Sequence, residues 1–229
     1  MKILVINLDR RTDRWAKIKP RLEAVGMPFE RIAATTPQTV PLELVEANER
    51  MPLPLRQNRS ELACLESHIR ALRKIAEDTV EHAIIMEDDA VLAPSFKSVV
   101  EMLPRHLDKA SIVRLETSRS KQKLRVPAKR VSRQFQLFGV SEMSAGSGAY
   151  IVDRAAAHLL TENAYDHPLP ADHWLFDLQF PKPKGLAIQQ LVPAITMQED
   201  FLNGSDDLPD SDLHRARTER EIHFSIYRP

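Results

Sequence analysis

His82-Ala83-Ile84-Ile85-Met86-Glu87-Asp88-Asp89 is a compact apolar run that stops abruptly at three consecutive carboxylates. Such a run reads as a buried strand delivering an acidic turn. Val91-Leu92-Ala93-Pro94 then leads to a helix that Ser95 is placed to cap. Neighbouring carboxylates raise one another's pKa unless a cation or hydrogen-bond donors compensate. Hard oxygen ligands suit Mg²⁺ or Mn²⁺, which take one or two protein carboxylates and fill their remaining positions with water and phosphate oxygens, such as those of a nucleotide diphosphate. The other reading is that Asp88 or Asp89 merely caps the next helix or its turn. The triplet alone does not choose between them.

The same strand signature opens the chain. Lys2-Ile3-Leu4-Val5-Ile6 is apolar and rich in β-branched residues, and it runs into the polar Asn7-Leu8-Asp9-Arg10-Arg11. Thr12 can cap a following helix and Gly26 offers its left-handed stop, while Pro20 is expected to kink or shorten it. After a proline-rich stretch over residues 37–54, Asn58 and Glu61 read as a capping box. Leu62, Leu65, Ile69, Leu72 and Ala76 then mark the buried stripe of a second helix. Residues 112–115, 134–140, 148–152 and 187–191 read as further strands, and Asp153 caps an alanine-rich helix. Arg119, Lys121, Lys123, Arg125, Lys129, Arg130 and Arg133 follow one another without an acid and read as a charged loop. The alternation of strand and helix predicts an α/β sandwich with a mainly parallel sheet, whose ligands gather at the carboxyl ends of the strands. One domain over residues 1–202 is expected, with a polar tail over 203–229 that is either mobile or folds over the site.

The 229 residues are 43% hydrophobic, enough for one sizeable core. The 32 basic and 32 acidic side chains cancel, so no global field gathers nucleic acid, and no nucleic-acid partner is expected. The opening apolar run is too short for a signal-peptide core, and no run approaches the roughly 20 residues of a membrane-spanning helix. Cys64 is the only cysteine, so no internal disulfide forms. A cytoplasmic location is the expectation. Peripheral contact with the inner face of the membrane is a further reading of residues 119–133, since each basic residue near an anionic surface contributes about 1 kcal/mol.

Three separated stretches resemble glycosyltransferase family 25, the bacterial group that builds lipooligosaccharide and lipopolysaccharide and is related to collagen galactosyltransferases. Val5-Ile6-Asn7-Leu8-Asp9-Arg10-Arg11-Thr12-Asp13-Arg14, continued by Phe29-Glu30-Arg31-Ile32-Ala33-Ala34, looks like the family's entry motif. Glu61-Leu62-Ala63-Cys64-Leu65-Glu66-Ser67-His68 resembles its Glu-x-x-Cys-x-x-Ser-His helix, and residues 83–92 resemble its metal turn. Weaker echoes at 148–152, 170–172 and 193–198 extend the likeness across most of residues 1–198. Ser60 and Ala63 stand where the family usually has glycines.

The resemblance implies a GT-A type fold, a nucleotide-sugar donor that is most often UDP-linked, and transfer of a hexose such as galactose to a glycan or glycolipid acceptor with inversion. It also implies Mn²⁺ or Mg²⁺ held by Glu87, Asp88 and Asp89. Side chains alternate along an extended strand end, so Glu87 and Asp89 face one way and Asp88 the other. Asn7, Arg11 and Arg14 stand where nucleotide or phosphate contacts are expected, for which a planar guanidinium suits bidentate contact; Arg11 and Arg14 also read as solvated charges at a helix start. Glu61 and His68, two turns apart on one helix face, border the donor or form a buried bracing pair. Cys64 reads as core. Asp172 is the candidate general base, with His173-Trp174 available to stack on a sugar; it also reads as a helix cap. Gln198 contacts donor or acceptor, or is a satisfied core amide. A non-catalytic nucleotide-sugar or glycan-binding module on the same fold is the alternative.

Overall fold

A computed structural model describes residues 1–117, 122–141 and 146–202. In chain order the elements are β1 (Lys2–Asn7), α1 (Thr12–Val25), β2 (Phe29–Ala33), α2 (Leu42–Arg50), α3 (Arg59–Ala76), β3 (His82–Glu87), β4 (Ala90–Leu92), α4 (Phe96–Met102), β5 (Ser111–Arg114) and β6 (Leu124–Arg130). They continue with β7 (Gln136–Val140), β8 (Ala149–Asp153), α5 (Arg154–Thr161), α6 (Ala171–Phe176), β9 (Ala187–Val192), β10 (Thr196–Gln198) and α7 (Glu199–Leu202). Eight strands form one sheet in the order β2-β1-β3-β8-β5-β9-β7-β6, and β4 pairs with β10.

The unbroken apolar runs of β1 and β3 exist because helices cover both faces of the sheet. Leu4, Ile6, Ile85, Tyr150 and Val152 pack with α3, α5 and α6 on one face. Their strand neighbours Ile3, Val5, Ile84, Met86 and Ile151 pack with α1 and α4 on the other. Each fully buried Leu or Ile contributes roughly 1.5–3 kcal/mol. The stripe of α3 is buried as expected, and its Asn58–Glu61 capping box is formed reciprocally. Asp153 caps α5 by accepting from the Ala156 N–H, and Gly26 takes the left-handed conformation (φ 67°) that ends α1.

The α/β sandwich agrees with the sequence reading, and its sheet is mixed. β1 lies parallel to β2 and β3, and β5 parallel to β9, while β8 runs antiparallel between β3 and β5, and β7 antiparallel beside β9. This arrangement brings the carboxyl ends of β1, β3 and β5 to the amino end of β8.

Three local expectations are corrected. Pro20 does not shorten α1, because it lies on the exposed side beyond the equally exposed Ala16, where the lost backbone bond faces water. Neither Thr12 nor Ser95 caps its helix with a side-chain oxygen; the N-cap of α1 is Arg11, and Ser95 stands at the N-cap of α4 without a side-chain bond. The basic segment is not a loop over its described part: residues 124–130 form the edge strand β6, paired to β7 with a register shift between Arg125 and Lys129. Arg119 and Lys121, and the tail over 203–229, lie outside the described residues.

Candidate active site at the strand ends

The parallel register sets Ile6 opposite Glu87, which places Asn7 beside the acidic turn. Asn7 is almost fully buried and its donors and acceptor are engaged. Its amide nitrogen donates to Asp88 Oδ2 (2.6 Å) and to the Arg11 carbonyl (3.1 Å), and its amide oxygen accepts from Arg31 Nε (2.7 Å). Arg14, one turn into α1, reaches back to the same turn. Its Nη1 lies 3.0 Å from Asp88 Oδ1 and 3.1 Å from Asp89 Oδ2. Asp88 therefore faces Asn7 and Arg14, whereas Asp89 shares Arg14 through one oxygen only. Its second oxygen, Oδ1, is buried with no hydrogen-bond partner among the described residues.

The electrostatics follow from that geometry. Burial, then the neighbouring Glu87, push Asp89 up to about 8, against the pull of Arg14. Burial also raises Asp88, although Asn7 and Arg14 stabilise its charged form. Glu87 behaves oppositely: burial opposes its charge, but His68, Ser147 and Arg14 outweigh it and hold its pKa below the usual range. A turn with one stably charged acid, one neutral-leaning acid and an orphaned carboxylate oxygen is short of positive charge. A divalent cation on hard oxygen ligands fits that shortage, with Asp89 Oδ1 and Glu87 as the groups able to turn to it.

Glu87 sits against a second set of side chains. Ser147 Oγ donates to its Oε1 (2.8 Å). His68, completely buried on α3, brings Nε2 to 3.3 Å from that oxygen without an aligned hydrogen bond, and its Nδ1 lies 3.0 Å from the Tyr150 hydroxyl. Tyr150 also stacks on the His68 ring and meets Phe176 edge-on. Ser147 is delivered by β8, whose antiparallel register puts Ala149 opposite Met86 and lets the Gly148 carbonyl accept from the Glu87 N–H (2.8 Å).

Below Ser147 lies a buried ion pair, Arg114 and Glu116, each 1% exposed with Nε and Oε1 3.5 Å apart. Burial opposes both charges, lowering the pKa of Arg114 and raising that of Glu116 to about 7. Glu116 accepts from the Gly148 N–H (2.8 Å), and Asp172 accepts from the Gly146 N–H (3.0 Å). The two glycines are required by this close approach. A Cβ at Gly146 would stand 2.7 Å from Glu116 Oε1, and one at Gly148 would stand 2.7 Å from Glu116 Oε2 and 2.9 Å from Gln198 Nε2.

The structure therefore brings Asn7, Arg14, His68, Glu87, Asp88 and Asp89 together, and links Asp172 to them through Gly146 and Ser147. Asp172 is half-buried in the first turn of α6, where Oδ1 also accepts from the His173 N–H. Gln198 lies opposite Ala90 in the β4–β10 pair and close to Gly148, and the next residue, Glu199, donates its N–H to the Asp89 carbonyl (2.9 Å). Glu61 is spent largely on the capping box, its carboxylate accepting from the Asn58 N–H (3.0 Å). Arg11 forms a bidentate pair with Asp13, at 3.0 and 2.9 Å. Trp174 corrects an expectation: it packs in the core against α3-side residues, so it has no face to offer a sugar ring. The sequence reading missed Ser147, Tyr150, Arg114 and Glu116. An arginine inside the apolar run 112–115 and the Gly-Ser-Gly at 146–148 were the available signals.

The family model for glycosyltransferase family 25 (LPS biosynthesis protein) matches residues 1–175, which contain the acidic turn, the α3 motif and Asp172. The chain belongs to glycosyltransferase family 25. The chain is similar to the lipooligosaccharide biosynthesis protein lex-1 of Haemophilus influenzae (strain ATCC 51907 / DSM 11121 / KW20 / Rd), 30% identical over 175 residues that cover 71% of this chain and 57% of that protein. The chain thus matches little more than half the length of that relative. Among solved structures, a glycosyltransferase involved in glycosylation of the major capsid of PBCV-1 aligns at a TM-score of 0.44 and 12% identity, over 98% of each chain. The inositol-1-phosphate CTP transferase of T. maritima aligns at 0.42 and 10%, over 95% of this chain and 76% of that one. No helix among the described residues of this family 25 member is long and apolar enough to cross a membrane.

Proposed function

We propose that this family 25 member is an inverting, metal-dependent glycosyltransferase that moves a hexose such as galactose from a UDP-linked nucleotide sugar to a glycan or glycolipid acceptor, such as a lipooligosaccharide or lipopolysaccharide core. The observation that carries the reading is the acidic turn at the end of β3, with the Asp89 Oδ1 left buried and unpartnered while its neighbours are engaged. Glu87 and Asp89 would hold Mn²⁺ or Mg²⁺, with Asp88 fixed in place by Asn7 and Arg14. Held there, the cation supplies Lewis acidity to the departing diphosphate. Arg14, held against Asp88 and Asp89, and Arg11, three residues earlier at the start of α1, supply guanidinium groups to phosphate or nucleotide, and Gln198, His68 and Glu61 border the donor.

Asp172 is proposed as the base that takes the acceptor hydroxyl proton. A carboxylate has about four lone-pair positions, and the Gly146 and His173 N–H bonds occupy two acceptor sites without exhausting them. Those two bonds also fix its orientation. Peripheral contact with the cytoplasmic face of the membrane would use β6, where Arg125, Lys129 and Arg130 are exposed on an edge strand.

A thermal-shift screen of nucleotide sugars with Mn²⁺ tests the donor assignment, because a ligand that binds only the folded state stabilises it by RT ln(1 + [L]/Kd). A UDP-hexose is expected to raise the melting temperature most, and only with the metal present. Equal shifts with and without Mn²⁺ would contradict the metal role. Tight binding of the UDP-hexose with no turnover over a broad acceptor panel would favour a non-catalytic binding module instead.

A further inference from the structure

The side of Glu87 that faces away from Asp88 meets a different chemistry. Cys64 and His68 lie one helical turn apart on α3 and share a face. The Cys64 sulfur, a His68 ring nitrogen and a Glu87 carboxylate oxygen all lie within 4.8 Å of one another. His68 is completely buried, and its Nε2 has no hydrogen-bond partner among the described residues although Glu87 Oε1 is 3.3 Å away. Its Nδ1 is already taken by the Tyr150 hydroxyl at 3.0 Å. In the tautomer that a bound cation selects, with the proton on Nδ1, the buried and unpartnered Nε2 presents a lone pair toward the Cys64 sulfur and a Glu87 carboxylate whose Oε1 also accepts from Ser147 Oγ, so three ligand types converge at one point. Such a convergence is a ligand set for a cation.

We propose that Cys64, His68 and Glu87 form a site for a soft divalent cation, Zn²⁺ in particular, which shares Glu87 with the hard-cation position at Asp89 and lies on its other side. Thiolate and imidazole select Zn²⁺ over Mn²⁺ or Mg²⁺, and three protein ligands with a fourth position open is a common zinc arrangement. Ligand atoms across a tetrahedral zinc centre stand about 3.3–3.8 Å apart for bonds of 2.0–2.3 Å. The pair His68 and Glu87 already satisfies that at 3.3 Å, and the Cys64 sulfur lies within 4.8 Å of both. Tyr150 supplies the outer hydrogen bond that fixes the tautomer and ring plane of a zinc-binding histidine. A cysteine–histidine–acid relay does not fit, because it needs the two ring nitrogens to face the thiol and the acid separately, and here Nδ1 faces Tyr150.

Cys64 is the only thiol in the chain and is half-buried, so its reactivity reports on this site alone. The inference does not depend on sugar transfer, and the test reads no transfer. Metal-free full-length protein is titrated with a disulfide reagent such as DTNB. One equivalent of Zn²⁺ is expected to slow the thiol reaction by at least about tenfold, and the same concentration of Mn²⁺ to leave it within about twofold. Co²⁺ in place of Zn²⁺ is expected to give a sulfur-to-metal charge-transfer absorption that is absent in Cys64→Ser. Glu87→Gln, which keeps the thiol, is expected to weaken Zn²⁺ binding at least about tenfold. Thiol reactivity indifferent to Zn²⁺, equal protection by Mn²⁺, or unchanged Zn²⁺ affinity in Cys64→Ser would each overturn the assignment.

Discussion

Gly146→Ala, Gly148→Ala and Gly185→Ala together measure how tightly the Ser147 loop is held against the buried acids. Gly146 has φ +109° and its added Cβ would meet Glu116 Oε1 at 2.7 Å and Arg114 Nη2 at 3.0 Å. Those atoms cannot retreat easily, since Glu116 is 1% exposed and is tied to Arg114 and to the Gly148 N–H. Gly148 presents the contact without the positive φ, while Gly185 has φ +89° with nothing within 4 Å. Forcing a non-glycine residue into such a backbone region costs roughly 1–3 kcal/mol, and overpacking a filled site costs roughly 1–3 kcal/mol. The expected losses in unfolding free energy, read by urea denaturation followed by circular dichroism, are about 1–2 kcal/mol for Gly185→Ala and about 2 kcal/mol for Gly148→Ala. Gly146→Ala combines both terms and should lose about 4 kcal/mol, a fall in melting temperature of roughly 8–16 °C for a chain of this size. A Gly148→Ala protein within about 0.5 kcal/mol of the parent, or a Gly146→Ala protein no worse than Gly185→Ala, would refute the reasoning.

Four other outcomes are expected. Tyr150→Phe leaves His68 Nδ1 buried without a partner and should cost about 1–3 kcal/mol in chemical denaturation, with loss of the Zn²⁺ effect on Cys64. Burial raises the pKa of Glu116 to about 7, above its ordinary value of 4.5, so the folded state binds its proton more tightly than the unfolded chain. Its contribution is complete below about pH 4.5 and is lost as pH rises through about 7, some 3 kcal/mol in all; in Glu116→Gln that slope should be absent from the pH dependence of stability. Arg14→Ala removes the cation between Asp88 and Asp89 and should lower the melting temperature of the metal-free protein, with Mn²⁺ restoring more of the loss than it adds to the parent. Leu65→Ala, at a fully buried position on α3, should cost about 2–5 kcal/mol by the same denaturation assay.

The parts of the fold that were legible in the sequence are those whose environment is uniform along the element. β1 and β3 are buried on both faces, so their apolar runs have sharp ends, and α3 carries an uninterrupted stripe behind a reciprocal capping box. β6 was not legible because it is an edge strand exposed along nearly all its length, with basic residues on both faces and a register shift that breaks any alternation. α2 was hidden among prolines, although Pro41 stands at its N-cap, where a missing N–H does no harm. At the site, the acidic turn was visible because three acids after a buried strand need an explanation. Arg114 and Glu116 were not, because their partnership is made across the end of β5 beneath glycines that lie thirty residues further along. The expectation that Asp88 would face away from Glu87 agrees with its bonds to Asn7 and Arg14, but Arg14 also holds Asp89, a sharing that strand alternation alone did not anticipate.

The central claim is that the acidic turn holds a cation that sugar transfer requires. The most direct measurement is release of UDP from a UDP-hexose by the purified chain, with Mn²⁺ or with excess chelator, for the parent and for Asp89→Asn. The account predicts release only with the metal, and a loss of at least about a hundredfold in Asp89→Asn, with an unchanged circular dichroism spectrum. Full activity of both proteins in excess chelator would contradict it.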